Sequence, residues 1–423
     1  MIDIQRIREN SQEVIARYAV RNFDASDLVT RIKDLDARRR QVQQELDGTL
    51  AEANAMARQI GELFKAGKGE EAKPLKAQSA ELKQKSKALQ EELDAAANEL
   101  QELMTNLPML PHPSVPPGNS EADNEVVREE GEQPVLSGDA KPHWELASTY
   151  RLIDFAAGTK VTGAGFPVYQ GKGAALQRAL VAFFLDEAGK AGYTEIQPPL
   201  LVNAASAYGT GQLPDKDGQM YHIPEDDLYL IPTSEVPVTN ILRDTILEED
   251  DLPVKYTAYS VCFRREAGSY GKDVRGLNRL HQFDKVEIVQ VAHPEKSYAV
   301  LDEMVDHVAG LLKKLEMPFR VARLCGGDLG FASALTYDME VFSAGQKRWL
   351  EVSSISNFET YQAQRMKLRF RPAEGKNKLA HTLNGSALAL PRVMAALLEN
   401  NQTPDGIRIP KVLQKYTGFE YIK

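Results

Sequence analysis

The sequence predicts an α+β protein in two parts: an N-terminal antiparallel α-helical coiled-coil hairpin, then a C-terminal domain on a mixed, mostly antiparallel β-sheet with flanking helices. Three observations predict it. Residues 24–107 carry a seven-residue apolar spacing, are poor in Gly and aromatics, and hold Pro74 as their one proline. Residues 108–142 turn to Pro, Gly, Asn and Glu. From His143 onward, short runs with period-two alternation are interspersed with helical ones. At 423 residues the chain exceeds what one hydrophobic core usually holds, and with 43% hydrophobic residues it can build more than one.

The hairpin has two seams. The first runs through Leu28, Ile32, Leu35, Val42, Leu46, Ala53, Met56, Ile60 and Leu63, the second through Leu75, Leu82, Leu89, Leu93, Ala96, Leu100, Leu103 and Leu107. Between them lies 67–74, with glycines suited to a helix C-terminus and Pro74 suited to the first turn of the next helix. Two seams joined by a short turn fold back on each other. Each helix spans roughly 35 to 40 residues, on the order of 55 Å, which makes the hairpin a projecting arm. Charge divides it: 58–87 hold eight Lys/Arg against four Asp/Glu, while the rest of 24–107 hold five against twelve. On residues alone the arm reads either as a solvated coiled coil or as a probe for a distant polyanion, with an acidic stem and a basic outer half.

A stretch such as 108–118, PMLPHPSVPPG, cannot continue a helix. Residues 1–107 therefore read as the arm, 108–142 as an extended linker and 143–423 as the second domain. Within that domain 174–188 has helical apolar spacing. The runs 228–231, 256–263, 285–291 and 349–353 read as strands, and hairpin-compatible loops between strands point to a largely antiparallel sheet.

Several chemistries are excluded by what the sequence lacks. It contains no GxxxxGK[ST] loop, no GxGxxG after a strand, no GxSxG elbow and no HExxH. A chain of this kind that handles nucleotide phosphates must use side-chain cations on a sheet. With 60 acidic against 51 basic residues and net charge −9, it does not simply coat nucleic acid, and a polyanion has to meet a local basic patch. Cys262 and Cys325 stand in no metal-binding spacing and read as buried thiols of a reducing compartment. The N-terminus lacks the pattern of a secretion signal, and no segment approaches the ~18 apolar residues of a membrane span. The expectation is a cytoplasmic protein without a membrane partner.

Residues 263–287 read FRREAGSYGKDVRGLNRLHQFDKVE: two strand-like ends around a Gly-rich loop, with five Lys/Arg from Arg264 to Arg279. This stretch resembles motif 2 of the class II aminoacyl-tRNA synthetases, in the form typical of seryl-tRNA synthetases. Residues 384–392 (NGSALALPR) are similar to motif 3, and 192–203 resemble motif 1, whose helix and strand form the dimer interface in that family. Residues 208–214, 233–235 and 351–354 are similar to further family segments, and the hairpin to the tRNA-binding arm. The resemblance implies a class II catalytic domain over 143–423. It also implies ATP-dependent activation of L-serine as seryl-adenylate and transfer to the 3′ end of tRNA(Ser), with tRNA(Sec) open as a second acceptor. A homodimer is implied as well, with Mg2+ accompanying ATP and no zinc.

The same resemblance assigns residues. Arg264 and Arg392 are the catalytic pair, Arg264 on the α-phosphate and the serine carboxylate, Arg392 near the γ-phosphate. Guanidinium forks match both kinds of anion. ATP is bound by Arg264, Arg265, Glu266, Phe283, Glu351, Val352, Ser353, Ser354 and Arg392. Glu266, two residues beyond Arg264 and so expected on the same strand face, reads the adenine amino group, and Phe283 stacks on the ring. Serine is bound by Thr233, Ser234, Glu235, Arg264, Glu287 and Ser386, with Thr233 and Glu235 receiving the ammonium. Glu287 and Ser386 border the hydroxyl. Glu351 and Ser354 are the oxygen ligands for Mg2+. Structural salt bridges for the arginines, capping roles for the serines and a buried ion pair for Glu287 remain alternatives.

Three positions depart from the family pattern: Pro391 before Arg392, Gln364 where arginine is usual, and Gly165 likewise. Two other functions stay open on the residues. One is a synthetase-like enzyme that loads a small amino acid onto a carrier protein. The other is a coiled-coil interaction protein with an inactive globular half.

Overall fold

A computed structural model describes residues 1–136, 140–215, 217–266 and 275–423. The chain divides into two compact units, Met1–Ala19 with Phe23–Pro108, and Val20–Asn22 with Met109–Lys423.

The first unit opens with two short helices, Ile4–Glu9 and Ser11–Ala19, followed by the long helices Ser26–Lys65 and Gly69–Thr105. The long pair forms the expected hairpin, zipped by a cluster of Val42, Leu46, Leu89 and Leu93 and by an Arg38–Glu92 ion pair. Two details differ from the sequence reading. The second helix begins at Gly69, so Pro74 lies in its second turn rather than its first and deprives the Glu70 carbonyl of an i→i−4 donor. Near the base the seam shifts by one position, burying Val29 and Asp36. Asp36 is gripped by Arg8, Arg39 and Arg40 at 2.9, 3.1 and 3.0 Å. Burial raises its pKa, but the hydrogen bonds from Arg8 and Arg39 outweigh that and hold it below the usual carboxylate value.

The second unit is built on an eight-stranded sheet. In chain order its strands are β1 (Glu125–Glu130), β2 (Thr194–Glu195), β3 (Val254–Phe263), β4 (Gln282–Ala292), β5 (Phe319–Arg323), β6 (Leu335–Ser343), β7 (Arg348–Asn357) and β8 (His381–Ala389). In space they run β1-β5-β6-β7-β8-β4-β3-β2. Every pair is antiparallel except β2 with β3. The sheet is therefore mixed and mostly antiparallel, as the alternation predicts. The edge strand β1 falls inside the Pro- and Gly-rich stretch read as linker.

One face of the sheet is apolar. Val286, Ile288, Met339, Ile355, Leu383 and Ala387 belong to one core cluster with residues of the helices Gly171–Lys190, Ser297–Lys314 and Leu390–Asn400. Gly385 sits at the centre of this face, where a Cβ would meet Ile355 at 2.8 Å, so only glycine lets β7 and β8 approach there.

A buried carboxylate ties the loops around this core. Glu399, near the end of the helix Leu390–Asn400, accepts on Oε1 from the His143 backbone N–H and ring Nδ1, both at 2.8 Å, and from Gln346 Nε2 at 3.1 Å. On Oε2 it accepts from the Ser343 hydroxyl and from the backbone N–H groups of Gly345 and Gln346. His143 Nε2 in turn accepts from the Leu277 N–H at 2.8 Å, which fixes the proton on Nδ1 and anchors the chain just beyond the Gly-rich loop.

Candidate active site

The face opposite the apolar one is polar. On β4, Phe283, Lys285 and Glu287 are two residues apart and share a face. Register sets Cys262, Ser260 and Ala258 of β3 opposite them, and Ser386 of β8 opposite Glu287. Asn384 of β8 lies opposite Ser356 of β7, and Ser354 of β7 opposite Asp338 of β6. Strand parity thus gathers hydroxyls, an amide, an ammonium and carboxylates on one surface.

Its densest point is a buried group around Thr233. Lys285 Nζ donates to Thr233 Oγ1 at 2.7 Å and forms an ion pair with Glu287. Thr233 Oγ1 donates to Glu287 Oε2 at 3.3 Å, and the Glu235 N–H donates to the same hydroxyl at 3.2 Å. Glu235 opens the helix Glu235–Asn240 and accepts from Gln362 Nε2 at 2.6 Å. Burial, then the neighbouring Glu287 carboxylate, push its pKa up to about 7, against the pull of Lys285, Gln362 and Asn384. Asn384 lies near enough to favour the charge on Glu235 but makes no bond of ordinary geometry, so its buried amide nitrogen is left open. Ser234 is fully buried, with its hydroxyl shared with Ser260.

Arg264 lies just beyond the end of β3. Its backbone N–H donates to the His281 carbonyl at 3.0 Å, its Nε to the Pro232 carbonyl at 3.3 Å, and its guanidinium stands 5.3 Å from the centre of the Phe283 ring. This brings Arg264 between the Thr233 group and Phe283. Arg265 has its guanidinium 5.8 Å from the Tyr221 ring centre. Glu266 corrects the sequence reading: β3 stops at Phe263, and Glu266 has φ 49°, so it does not continue the strand face of Arg264. Its carboxylate accepts from Arg279 at 2.9 Å across the hairpin. The Gly-rich loop between them, 267–274, lies outside the described residues.

Arg392 lies in the first turn of the helix Leu390–Asn400, which follows β8. Its Nε donates to the Asn278 carbonyl at 3.2 Å and Nη1 to the Glu351 carbonyl at 2.8 Å, with the Glu351 carboxylate 3.5 Å away. The segments 263–287, 351–354 and 384–392 therefore meet at this arginine. A β-bulge explains the alternation of Glu351 to Ser354: Met339 pairs with Ser353 and Glu340 with Glu351, leaving Val352 as the extra residue. Val352 is buried in the core, and the Ser353 hydroxyl donates to the Ser386 carbonyl at 2.5 Å. Glu351 stays half exposed. Beside Ser354, Asp338 keeps one carboxylate oxygen buried with no hydrogen-bond partner, and burial followed by the Glu351 charge pushes its pKa up. An orphaned hard oxygen next to a carboxylate and a hydroxyl fits a divalent cation such as Mg2+.

Sequence reasoning missed Lys285, Asn384, Gln362 and Asp338. Lys285 was detectable, because it stands two residues from Glu287 on one strand. The others follow from cross-strand register and helix packing. Two of the departures have local reasons. Gly165 has φ +83° and a Cβ there would meet the His281 ring at 2.5 Å, while Pro391 occupies the first turn of its helix, where the missing N–H costs no bond. Gln364 has a buried Oε1 without a partner, and nothing in the structure explains it.

Comparison with known proteins fits this geometry. Residues 1–111 match the family described as seryl-tRNA synthetase N-terminal domain, and 221–401 match the tRNA synthetase class II core domain (G, H, P, S and T). A serine–tRNA ligase of Salinibacter ruber is 52% identical over 424 residues, covering 100% of this chain and 99% of the relative. One of Akkermansia muciniphila is 47% identical over 425 residues, with the same coverage. Among solved structures, the seryl-tRNA synthetase of Pyrococcus horikoshii complexed with ATP aligns with TM-score 0.93 at 36% identity, covering 100% of this chain and 99% of its own. The cytoplasmic enzyme of Naegleria fowleri in complex with AMP aligns with TM-score 0.90 at 26% identity, with the same coverage. The chain belongs to the seryl-tRNA synthetases, class II ligases that activate serine with ATP and transfer it to tRNA.

Proposed function

We propose that the polar face of the sheet is the adenylation site and that the two halves of the chain divide the reaction. In this reading 143–423 catalyse, 1–107 bind tRNA and 108–142 join them. The observation that carries it is the position of Arg264 between a buried ammonium-and-carboxylate pocket and an aromatic ring. A serine at Thr233, with its ammonium toward Glu235, has its carboxylate within the field of Arg264. Adenine stacked on Phe283 brings the α-phosphate to the same guanidinium.

A serine carboxylate oxygen attacks the α-phosphorus, the new O–P bond forms, and the bond to pyrophosphate breaks. Arg264 stabilises charge on the α-phosphate oxygens, and Arg392 charge on the departing end. Arg265 and Glu266 line the ATP site, together with the 351–354 backbone at Val352 and Ser353. Mg2+ would be held by Glu351 and Ser354, and it would neutralise charge on the ATP phosphates. Glu287 and Ser386 take the serine hydroxyl. An alanine-like analogue brings no hydroxyl to that buried carboxylate and leaves part of its acceptor capacity unfilled, which is a basis for rejection. In the second step the tRNA 3′-hydroxyl attacks the acyl carbon, AMP leaves, and the hydroxyl proton passes to the adenylate phosphate. Neither step needs a protein general base.

The arm's basic outer half, 58–87, is read as the contact to the long variable arm of tRNA(Ser), with tRNA(Sec) as a second candidate. Exposed Leu200 and Leu201, in the segment resembling motif 1, support a homodimer. Among the described residues no helix is long and apolar enough to cross a membrane. The reading puts the chain in the cytoplasm, where its substrates are. Removing 58–87 is expected to abolish aminoacylation and to leave serine-dependent ATP–pyrophosphate exchange intact. Equal loss of both activities refutes the division of labour.

A further inference from the structure

We propose that Gln362 is the positioning residue of the amino-acid pocket: its amide sets the direction in which Glu235 presents its carboxylate to the substrate ammonium. The proposal rests on the reading of Glu235 as the ammonium partner.

Gln362 lies in the helix Thr360–Met366 and is fully buried. Its Nε2 donates to Glu235 Oε1 at 2.6 Å and to the Thr210 carbonyl at 3.2 Å, while its Oε1 accepts from the Thr382 hydroxyl at 2.7 Å. A carbonyl and a carboxylate can only accept, so the amide has one orientation in which every partner is satisfied. Four elements thereby converge on one side chain: its own helix, the helix Ala204–Thr210, the helix Glu235–Asn240 and β8. A buried glutamine held at both ends cannot rotate, and neither can the carboxylate bonded to it.

The choice of an amide has a chemical reason. A lysine or arginine at 362 would form an ion pair with Glu235 and compete with the substrate ammonium. A carboxylate there would stand beside Glu235 and Glu287 and repel both. The amide supplies a directed donor without cancelling the charge that serine needs. The groups facing Glu235 are Glu287 and Lys285 from β4, Asn384 from β8, and Gln362. Burial and Glu287 already favour the protonated form, with a pKa of about 7. Loss of the Gln362 donor therefore moves the titration of Glu235 to higher pH, and serine binding weakens at neutral pH.

The test compares Gln362→Met, Thr382→Val, Thr382→Ser and Glu235→Gln with the unmodified chain. Pyrophosphate exchange gives kcat and the KM values for serine and ATP across roughly pH 6 to 9. Gln362→Met should raise the serine KM about tenfold at neutral pH and move its acid inflection up by about one pH unit, with the ATP KM unchanged. Thr382→Val should act in the same direction but less, and Thr382→Ser should behave as the unmodified chain. This pair carries the test if Gln362→Met does not fold. A superimposable serine profile in Gln362→Met and Thr382→Val overturns the proposal, as does an equal rise in both KM values with no displacement of the inflection. If Glu235→Gln raises the serine KM while the other variants do not, only the role of Gln362 falls. If Glu235→Gln leaves it unchanged, the reading of Glu235 itself is wrong.

Discussion

Glu399 and Glu235 are both buried carboxylates of the second unit, and their surroundings are opposite. Glu399 accepts from six donors, three on each oxygen. Glu235 has one amide donor, a loosely placed Asn384, and the Glu287 carboxylate as a neighbour. Burial raises the pKa of both. Hydrogen bonds from His143 and Ser343 more than reverse this at Glu399, while Glu235 remains pushed up to about 7. On the proposed reading of Glu235, the difference separates scaffold from site. A structural carboxylate has its lone pairs filled by the chain itself. A binding carboxylate keeps capacity that only a ligand fills, and the free protein carries the cost.

The largest expected effect comes from breaking the filled carboxylate. Glu399→Leu leaves the His143 ring, the Ser343 hydroxyl and several backbone N–H groups without an acceptor. The loss should be about 3–5 kcal/mol in urea unfolding. The serine KM of the remaining folded protein should hold, because Glu399 touches none of the pocket residues. An unchanged unfolding midpoint would show that the six contacts are incidental.

Glu235→Gln should move stability the other way. The folded pKa of about 7 lies above the ordinary 4.5, so the favourable contribution of Glu235 is complete below about pH 4.5 and is lost as pH rises through 7. Ionising it in the fold at pH 8 costs roughly 3 kcal/mol. The variant should therefore gain up to that amount at pH 8, gain nothing at pH 4.5, and lose serine affinity at pH 8, where the Glu235 it replaces is charged. Urea midpoints at the two pH values check the sign, and a loss of stability at pH 8 contradicts the comparison.

These two carboxylates were not equally legible. The period of seven in 24–107 and the period of two in 256–263 and 285–291 carry the hairpin and the sheet, because a buried face repeats along its own element. Glu235, Glu287, Arg264 and Arg392 could be picked out because short segments resemble a family. Glu399 could not, since its partners come from 143, 343–346 and the end of a helix. Lys285, Gln362 and Asn384 depend on which strand lies beside which, a register that no local pattern encodes. The edge strand β1, EVVREE, lies inside the stretch that reads as linker, for a related reason: its side chains are mostly exposed on both faces, so no alternation marks it. Counting in twos carries Glu266 onto a strand face only by running past Phe263, where the strand ends.

The smallest effect is the sharpest test of the comparison, because it removes one donor from six. Ser343→Ala takes away a single hydrogen bond to the Glu399 carboxylate and leaves the others, so stability at neutral pH should fall by about 1 kcal/mol. The sign in acid follows from linkage. Glu399 titrates below its ordinary 4.5, so its contribution is present above that value and is lost as pH falls through the folded pKa. Removing the Ser343 donor lifts the folded pKa toward 4.5, and acid unfolding should begin at higher pH in the variant. The serine KM should not move. Loss of one donor at the filled carboxylate thus appears only in stability, whereas loss of one donor at the open carboxylate, through Gln362→Met, appears in substrate affinity.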